Sequence, residues 1–227
     1  MHLCHASMHH YILTRFSIAD YSCKGFVQTR ALSEADYLAQ VFAPSRLDGK
    51  VQAFELMTVP SVLAQTRTNY SWLIYTSAKL PPPYKERLQA LSTKHRQIQI
   101  RFVNSFQEMN EDVDREIVGK ATTTLRLDDD DGLAPTFLEH LEPYTYRPNL
   151  IVSFPQGKRF TIQAGKIVFT ETFRYPLLAI GLAAVGRNVY TCGSHCDLNN
   201  TYPVVYDERP DMWYCCASEF QDTKTKV

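Results

Sequence analysis

Four consecutive aspartates, Asp128, Asp129, Asp130 and Asp131, are the residues of this chain best suited to chemistry. They follow ATTTLRL, a run that reads as a buried strand, and precede Gly132, which lets the chain turn. Extended geometry puts Leu125 and Leu127 on one face and Arg126, Asp128 and Asp130 on the other. Asp129, which would point with the leucines, is the member least expected at a cation. Clustered carboxylates repel one another, so a folded protein keeps them only with cations close by. Arg126 is one such cation, and a hard divalent metal with oxygen ligands, Mg²⁺ or Mn²⁺, is another. The alternative is an acidic surface loop. Position favours the metal, because ligands of open α/β sheets bind beyond the carboxyl ends of strands.

A second set has zinc-ligand types: Cys192, His195, Cys196, Cys215 and Cys216, joined by His2, Cys4, His5, His9 and His10. A zinc-binding protein without enzymatic role is therefore a competing reading. The Cys-x₃-Cys spacing beside an adjacent Cys-Cys pair is not that of paired zinc knuckles, and buried free thiols account for the same residues. Arg15 closes an apolar run at 11–16 and is placed to meet either a phosphate or a surface carboxylate.

The elements that must position these groups alternate. Strands are expected over 11–16, 69–76, 98–103 and the run into the acidic motif. Helices are expected after Ser33, which pairs with Asp36 as a capping box, and over 51–66 with an interruption at Pro60. Two more begin at the prolines 81–83 and at Asn110, whose first turn carries Glu111, Asp112 and Asp114. Residues 44–50 read as a loop, and His95 as an ordinary helix-end residue. Beyond the motif come a short helix at 135–141 and strands at 150–154, 159–163 and 166–173, the last two joined by Ala164-Gly165 as a hairpin. Val168 and Phe169 read as core, 176–185 as a buried helix stopped by Gly186, and 188–191 as a last strand. After Met212-Trp213 the pattern is lost. The order gives an α/β fold, a mainly parallel mixed sheet flanked by helices with an antiparallel flap in the second half, in a single domain over 1–227.

Composition sets the outer bounds. The 227 residues are 44% hydrophobic and 21% charged, and 24 Lys+Arg balance 24 Asp+Glu, so no global field draws the protein to nucleic acid. No apolar run approaches the ~20 residues of a membrane span, which leaves peripheral membrane contact open. Six cysteines are too sparse for a disulfide scaffold, and no secretory leader is evident, so a reducing cytoplasm is expected.

The chain resembles the bacterial family of putative rhamnosyltransferases, and more widely the GT-A class of nucleotide-sugar glycosyltransferases. The resemblance rests on 11–16, Phe54-Glu55 with Pro60-Ser61 and Gln65, Trp72-Leu73-Ile74, Arg126-Leu127 with the four aspartates, Gly193-Ser194-His195 and Met212-Trp213. It implies a GT-A-like fold with a nucleotide-binding part over roughly 10–132 and an acceptor side over roughly 133–220. It also implies a nucleotide-diphosphate sugar donor, possession of a divalent Mn²⁺ or Mg²⁺, and transfer, with inversion, to a carbohydrate or lipid-linked glycan acceptor. Asp128, Asp130 and Asp131 are the matching metal carboxylates, with Asp128 also placed for the ribose, and Arg15 and Arg126 are donor-side residues. Asp207, Glu208, Asp211 and Glu219 lie where an acceptor base would be drawn from. Two departures stand out: Tyr75-Thr76-Ser77 lacks the acidic residue of many GT-A members, and no histidine follows Trp213, so His195 becomes the candidate further metal ligand. A degenerate transferase fold kept as a binding or scaffold module is the other reading.

Overall fold

The computed structural model describes residues 8–23, 29, 31–195 and 197–217. His2, Cys4, His5, Cys196 and Glu219 lie outside the described residues.

Strand β1 (His9–Phe16) runs through the main sheet, hydrogen-bonded on one side to β2 (Tyr70–Ser77) and on the other to β4 (Thr122–Arg126). Alternation along it decides where each side chain goes. Ile12 and Phe16 join Trp72, Ile74, Leu125 and Leu127 in one core, and Tyr11 and Leu13 join Leu73 and Tyr75 in a second. A sheet buried on both faces needs near-continuous apolar strands, which is how these runs read. With β3 (Ile98–Val103), β6 (Ile151–Ser153), β9 (Ala183–Val185) and β10 (Val204–Tyr206), the seven-stranded order is β10-β6-β9-β4-β1-β2-β3. Only the pairings of β9 are antiparallel, so the carboxyl ends of β1, β2, β3, β4, β6 and β10 share one edge.

The helices follow their caps. Ser33 Oγ accepts from Asp36 N–H at the start of α1 (Glu34–Val41), as the capping box requires. Residues 44–50, expected as a loop, are helical: α2 (Pro44–Ala53) begins with Pro44 in its first turn, where the missing N–H costs nothing. It continues through a π-helical turn, Phe54–Thr58, into α3 (Val59–Leu63). The interruption expected at Pro60 is taken up by that wide turn, in which Val59 N–H donates to Phe54 O, rather than by a break. The helix α4 (Pro82–Lys94) starts at its prolines and ends with His95 as its cap. The next, α5 (Phe106–Ile117), begins earlier than Asn110, because Ser105 Oγ already accepts from Glu108 N–H at 3.0 Å while Glu108 accepts from Asn104 N–H at 2.7 Å.

The second half departs further. Residues 176–185 do not form a helix. Leu177 and Gly181 have φ of 56° and 68°, which turn the chain, and the apolar Ala183–Val185 wedges between β4 and β6 as strand β9. A short buried apolar run fits a core strand as well as a helix. The strand expected at 188–191 is a 3₁₀ turn, Val189–Thr191, capped by Asn188. The second sheet, β5-β11-β7-β8, comprises β5 (Gly132–Leu133), β7 (Gln156–Gln163), β8 (Lys166–Arg174) and β11 (Trp213–Cys216), with α6 (Phe137–Leu141) following β5. The hairpin at Ala164-Gly165 forms with both residues at positive φ, 50° and 74°. Val168 and Phe169, expected in the core, are 37% and 50% exposed on the edge strand β8.

Candidate functional site

The four aspartates occupy a tight turn at the carboxyl end of β4, closed by Asp131 N–H donating to Asp128 O at 3.3 Å. Leu125 and Leu127 anchor it from below, fully buried. Each carboxylate then meets a different environment. Asp128 accepts from Arg126 Nε and Nη2 at 3.3 and 3.2 Å and lies 3.9 Å from Arg15. Burial alone would raise its pKa, but the Arg126 and then Arg15 guanidiniums outweigh it and hold the group at about 2. Asp129 turns away into the interior, where Lys50 Nζ of α2 donates to it at 2.7 Å. Asp130 and Asp131 remain side by side and buried. Asp131 accepts from Cys216 N–H at 3.0 Å, yet burial and repulsion from Asp130 and Asp128 push its pKa well above the usual carboxylate range.

A layer of cations borders this pair. Arg15 at the end of β1 and Arg126 at the end of β4 both face Tyr190, with guanidinium carbons 4.7 and 5.3 Å from its ring centroid, and Arg15 also lies over Phe106. The Tyr190 hydroxyl donates to Leu13 O, which fixes the ring. Both guanidiniums act on Asp128, Arg126 also feels Asp131, and their planar forks are donors suited to phosphate oxygens. His195 belongs to the same neighbourhood: burial and then Arg126 lower its pKa, while Asp128 acts in the opposite sense.

One continuous helix supports the turn along its length. Lys50 holds Asp129, Met57 abuts Gly132 so closely that a Cβ there would lie 2.7 Å from its sulfur, and Ser61 Oγ accepts from Leu133 N–H at 3.2 Å. Just past that helix, Gln65 donates to Ala134 O at 2.7 Å and accepts from Leu138 N–H at 3.1 Å. The contacts run in order along both segments. Lys50, Tyr190 and the role of Ser61 were not drawn from the sequence. The signal for Lys50 was there: at helical spacing it shares an apolar face with Leu47 and Phe54, an odd place for a lysine without a partner.

Beyond the carboxyl ends of β1, β2 and β3 lies an open cavity of about 470 Å³, lined by Asp20, Tyr21, Glu34, Lys79, Asn104 and Ser105 among others. Buried Asp20 shapes it, accepting from Ser22 N–H at 3.0 Å and from Phe106 N–H at 2.9 Å.

The other sequence candidates are dispersed. Asp207 is buried, accepts from Tyr144 Oη at 2.8 Å and pairs with Arg209; it follows β10, three strands from β4 and so roughly 14 Å across the sheet. Glu208 pairs with Arg174, whose hydrogen bonds hold its pKa below the usual range. Asp211 pairs with Lys158 at 2.6 Å. Among the described residues no three His, Cys, Asp or Glu side chains group closely enough to hold a metal ion. Of the zinc set, Cys192, Cys215 and Cys216 form no disulfide, and burial followed by Asp131 and Asp130 pushes the Cys215 thiol well above its usual range, against the thiolate that zinc needs. Asp130 and Asp131 are of the type a hard divalent cation takes: two adjacent buried oxygen donors whose mutual repulsion a dication would relieve.

Among solved structures the chain is similar to S. aureus TarS, with a TM-score of 0.50 at 11% identity over 93% of this chain and 37% of that one. It is likewise similar to S. aureus TarS 1-349 in complex with UDP, with a TM-score of 0.51 at 10% identity over 93% of this chain and 61% of that one. The likeness is one of fold, and the chain spans less than two thirds of the length of either. No curated protein matches the chain. The family model described as "Putative rhamnosyl transferase" matches residues 9–227, so the chain belongs to that family of glycosyltransferases.

Proposed function

We propose that the protein transfers a sugar from a nucleoside-diphosphate donor to a hydroxyl acceptor, with a divalent cation at Asp130 and Asp131. The observation that carries this reading is the charge arrangement at one sheet edge: two mutually repelling buried carboxylates beside two arginines that both act on Asp128. A diphosphate with its metal satisfies both halves at once. Arg15 and Arg126 take the phosphate oxygens as charge-assisted donors, and Tyr190 keeps both guanidiniums aligned. The cavity beside Asp20 and Asn104 receives the nucleoside, which suits its place at the carboxyl ends of β1 and β3. A cation held there would neutralise charge developing on the diphosphate as the sugar–phosphate bond breaks.

On the acceptor side the attacking hydroxyl must lose a proton, and with inversion a carboxylate opposite the leaving group takes it. Asp207, Glu208 and Asp211 are the candidates for that role, each paired with a cation, Arg209, Arg174 and Lys158 respectively. The TarS fragment of similar fold carries UDP, which makes UDP the first nucleotide to try, and the family's description names rhamnose as the sugar. The test is release of free nucleoside diphosphate from a panel of UDP-, GDP- and TDP-sugars, rhamnose donors included. Metal-dependent release that Asp130→Ala abolishes supports transfer. Tight donor binding without release, across hydroxyl acceptors, makes the protein a binding module instead.

A further inference from the structure

The buried pair of Lys50 and Asp129 has no part in the chemistry proposed above, yet it sits directly beneath it. Both side chains are almost fully enclosed, at 5% and 3% exposure, with Nζ 2.7 Å from Oδ1. Taking two charges out of water is costly, and an apolar pair of similar size is often at least as stable, so stability alone does not explain the pair. Its position does. Asp129 is the most enclosed of the four aspartates, and Lys50 of the supporting helix holds it. With Asp129 pinned inward and Arg126 holding Asp128 on the arginine side, the turn presents Asp130 and Asp131 together. The same helix fixes the downstream end through Ser61 and Leu133 N–H. The Lys50 ammonium also reaches electrostatically as far as Asp128.

We propose that Lys50 is a positioning residue: through its ion pair with Asp129 it sets the geometry of Asp130 and Asp131 and so the protein's affinity for a divalent cation in the presence of a nucleoside diphosphate. This rests on the reading of the site as a metal–diphosphate site. Groups that orient metal carboxylates from behind commonly govern affinity by roughly 10–100-fold.

The test compares UDP affinity by calorimetry with Mn²⁺ and with EDTA. Lys50→Met alone takes the ammonium away from a buried carboxylate and is prone to misfold, so the informative variant is the neutral double substitution Lys50→Met/Asp129→Leu, with Asp129→Asn as a milder second. The double variant is expected to melt at or above the wild-type temperature and to bind UDP in EDTA as the wild type does, while the Mn²⁺-dependent gain in affinity falls at least about tenfold. Asp129→Asn keeps an acceptor for Lys50 and is expected to lose a smaller part of that gain. Retention of the full Mn²⁺-dependent gain in both variants overturns the role of Lys50 and leaves the metal–diphosphate site standing. A wild-type protein with no such gain for UDP, GDP or TDP overturns the site itself, and the inference with it.

Discussion

The backbone N–H of Cys216 donates to Asp131 Oδ1 at 3.0 Å, across 85 residues of sequence. The last described strand is thereby part of the acidic turn, and whatever seats β11 also seats Asp131. β11 lies between β5 and β7, with Trp213 buried at its start and its Nε1–H bonded to Phe154 O at 2.6 Å.

Gly157 of β7 faces that tryptophan, and a Cβ there would lie 2.2 Å from Trp213 Cδ2 and 2.5 Å from Trp213 O. Backbone and a buried ring cannot both yield. Gly157→Ala is expected to cost about 3 kcal/mol, read as a shift in the urea midpoint at unchanged slope. Nucleotide binding should weaken as well, since the strand holding Asp131 is displaced.

Asp130 and Asp131 oppose each other in the free protein. Asp130→Asn removes one of the two charges while keeping the shape. The expected outcome is a protein that melts roughly 2–4 °C higher, the shift about 1 kcal/mol gives in a chain of this size, and has lost its metal-dependent nucleotide binding. Thermal melts with and without Mn²⁺ and UDP read both changes.

His10 is 1% exposed, and neither ring nitrogen has a hydrogen-bond partner. Burial, then His9 and Arg67, lower its pKa from 6.5 to about 4. The unfolded chain takes up this proton near pH 6.5 while the folded chain refuses it until about pH 4. Stability from this group is therefore complete above pH 6.5 and declines as pH falls through that window, by about 3 kcal/mol at most. His10→Leu should flatten the part of the pH–stability curve between 6.5 and 4 in urea titrations. An unchanged slope there would mean that His10 does not carry it.

Arg15 shares Asp128 with the closer Arg126 and is partly exposed, at 26%. Arg15→Ala is expected to weaken nucleoside-diphosphate binding about tenfold or more with little change in melting temperature, and to make the remaining binding less sensitive to salt. Calorimetry at two ionic strengths measures both.

Much of this was legible in the sequence where local signals and burial agreed. The strand at Ile98–Val103, the Ser33 cap, the Ala164-Gly165 hairpin and the position of the aspartates at a strand end follow from alternation, capping and turn chemistry. The misses share a cause: long-range partners overrode the local pattern. Residues 183–185 read as helix because an apolar run carries no period, and only their seat between β4 and β6 makes them a strand. Residues 44–50 read as loop because Pro44, Asp48 and Gly49 are poor helix formers, and their burial against the sheet outweighs that. The site followed the same division. The carboxylates and Arg126 announced themselves by spacing, whereas Lys50 and Tyr190 come to them from 79 and more than 60 residues away.

A metal–diphosphate site at the acidic turn and its arginines is read out by titrating UDP, GDP and TDP into the protein with Mn²⁺, with Mg²⁺ and with EDTA. Saturable binding of at least one nucleotide is expected, tightened about tenfold or more by the metal and returned to the EDTA level by Asp130→Ala. No binding of any of the three with either metal, by a protein that melts cooperatively, would contradict it.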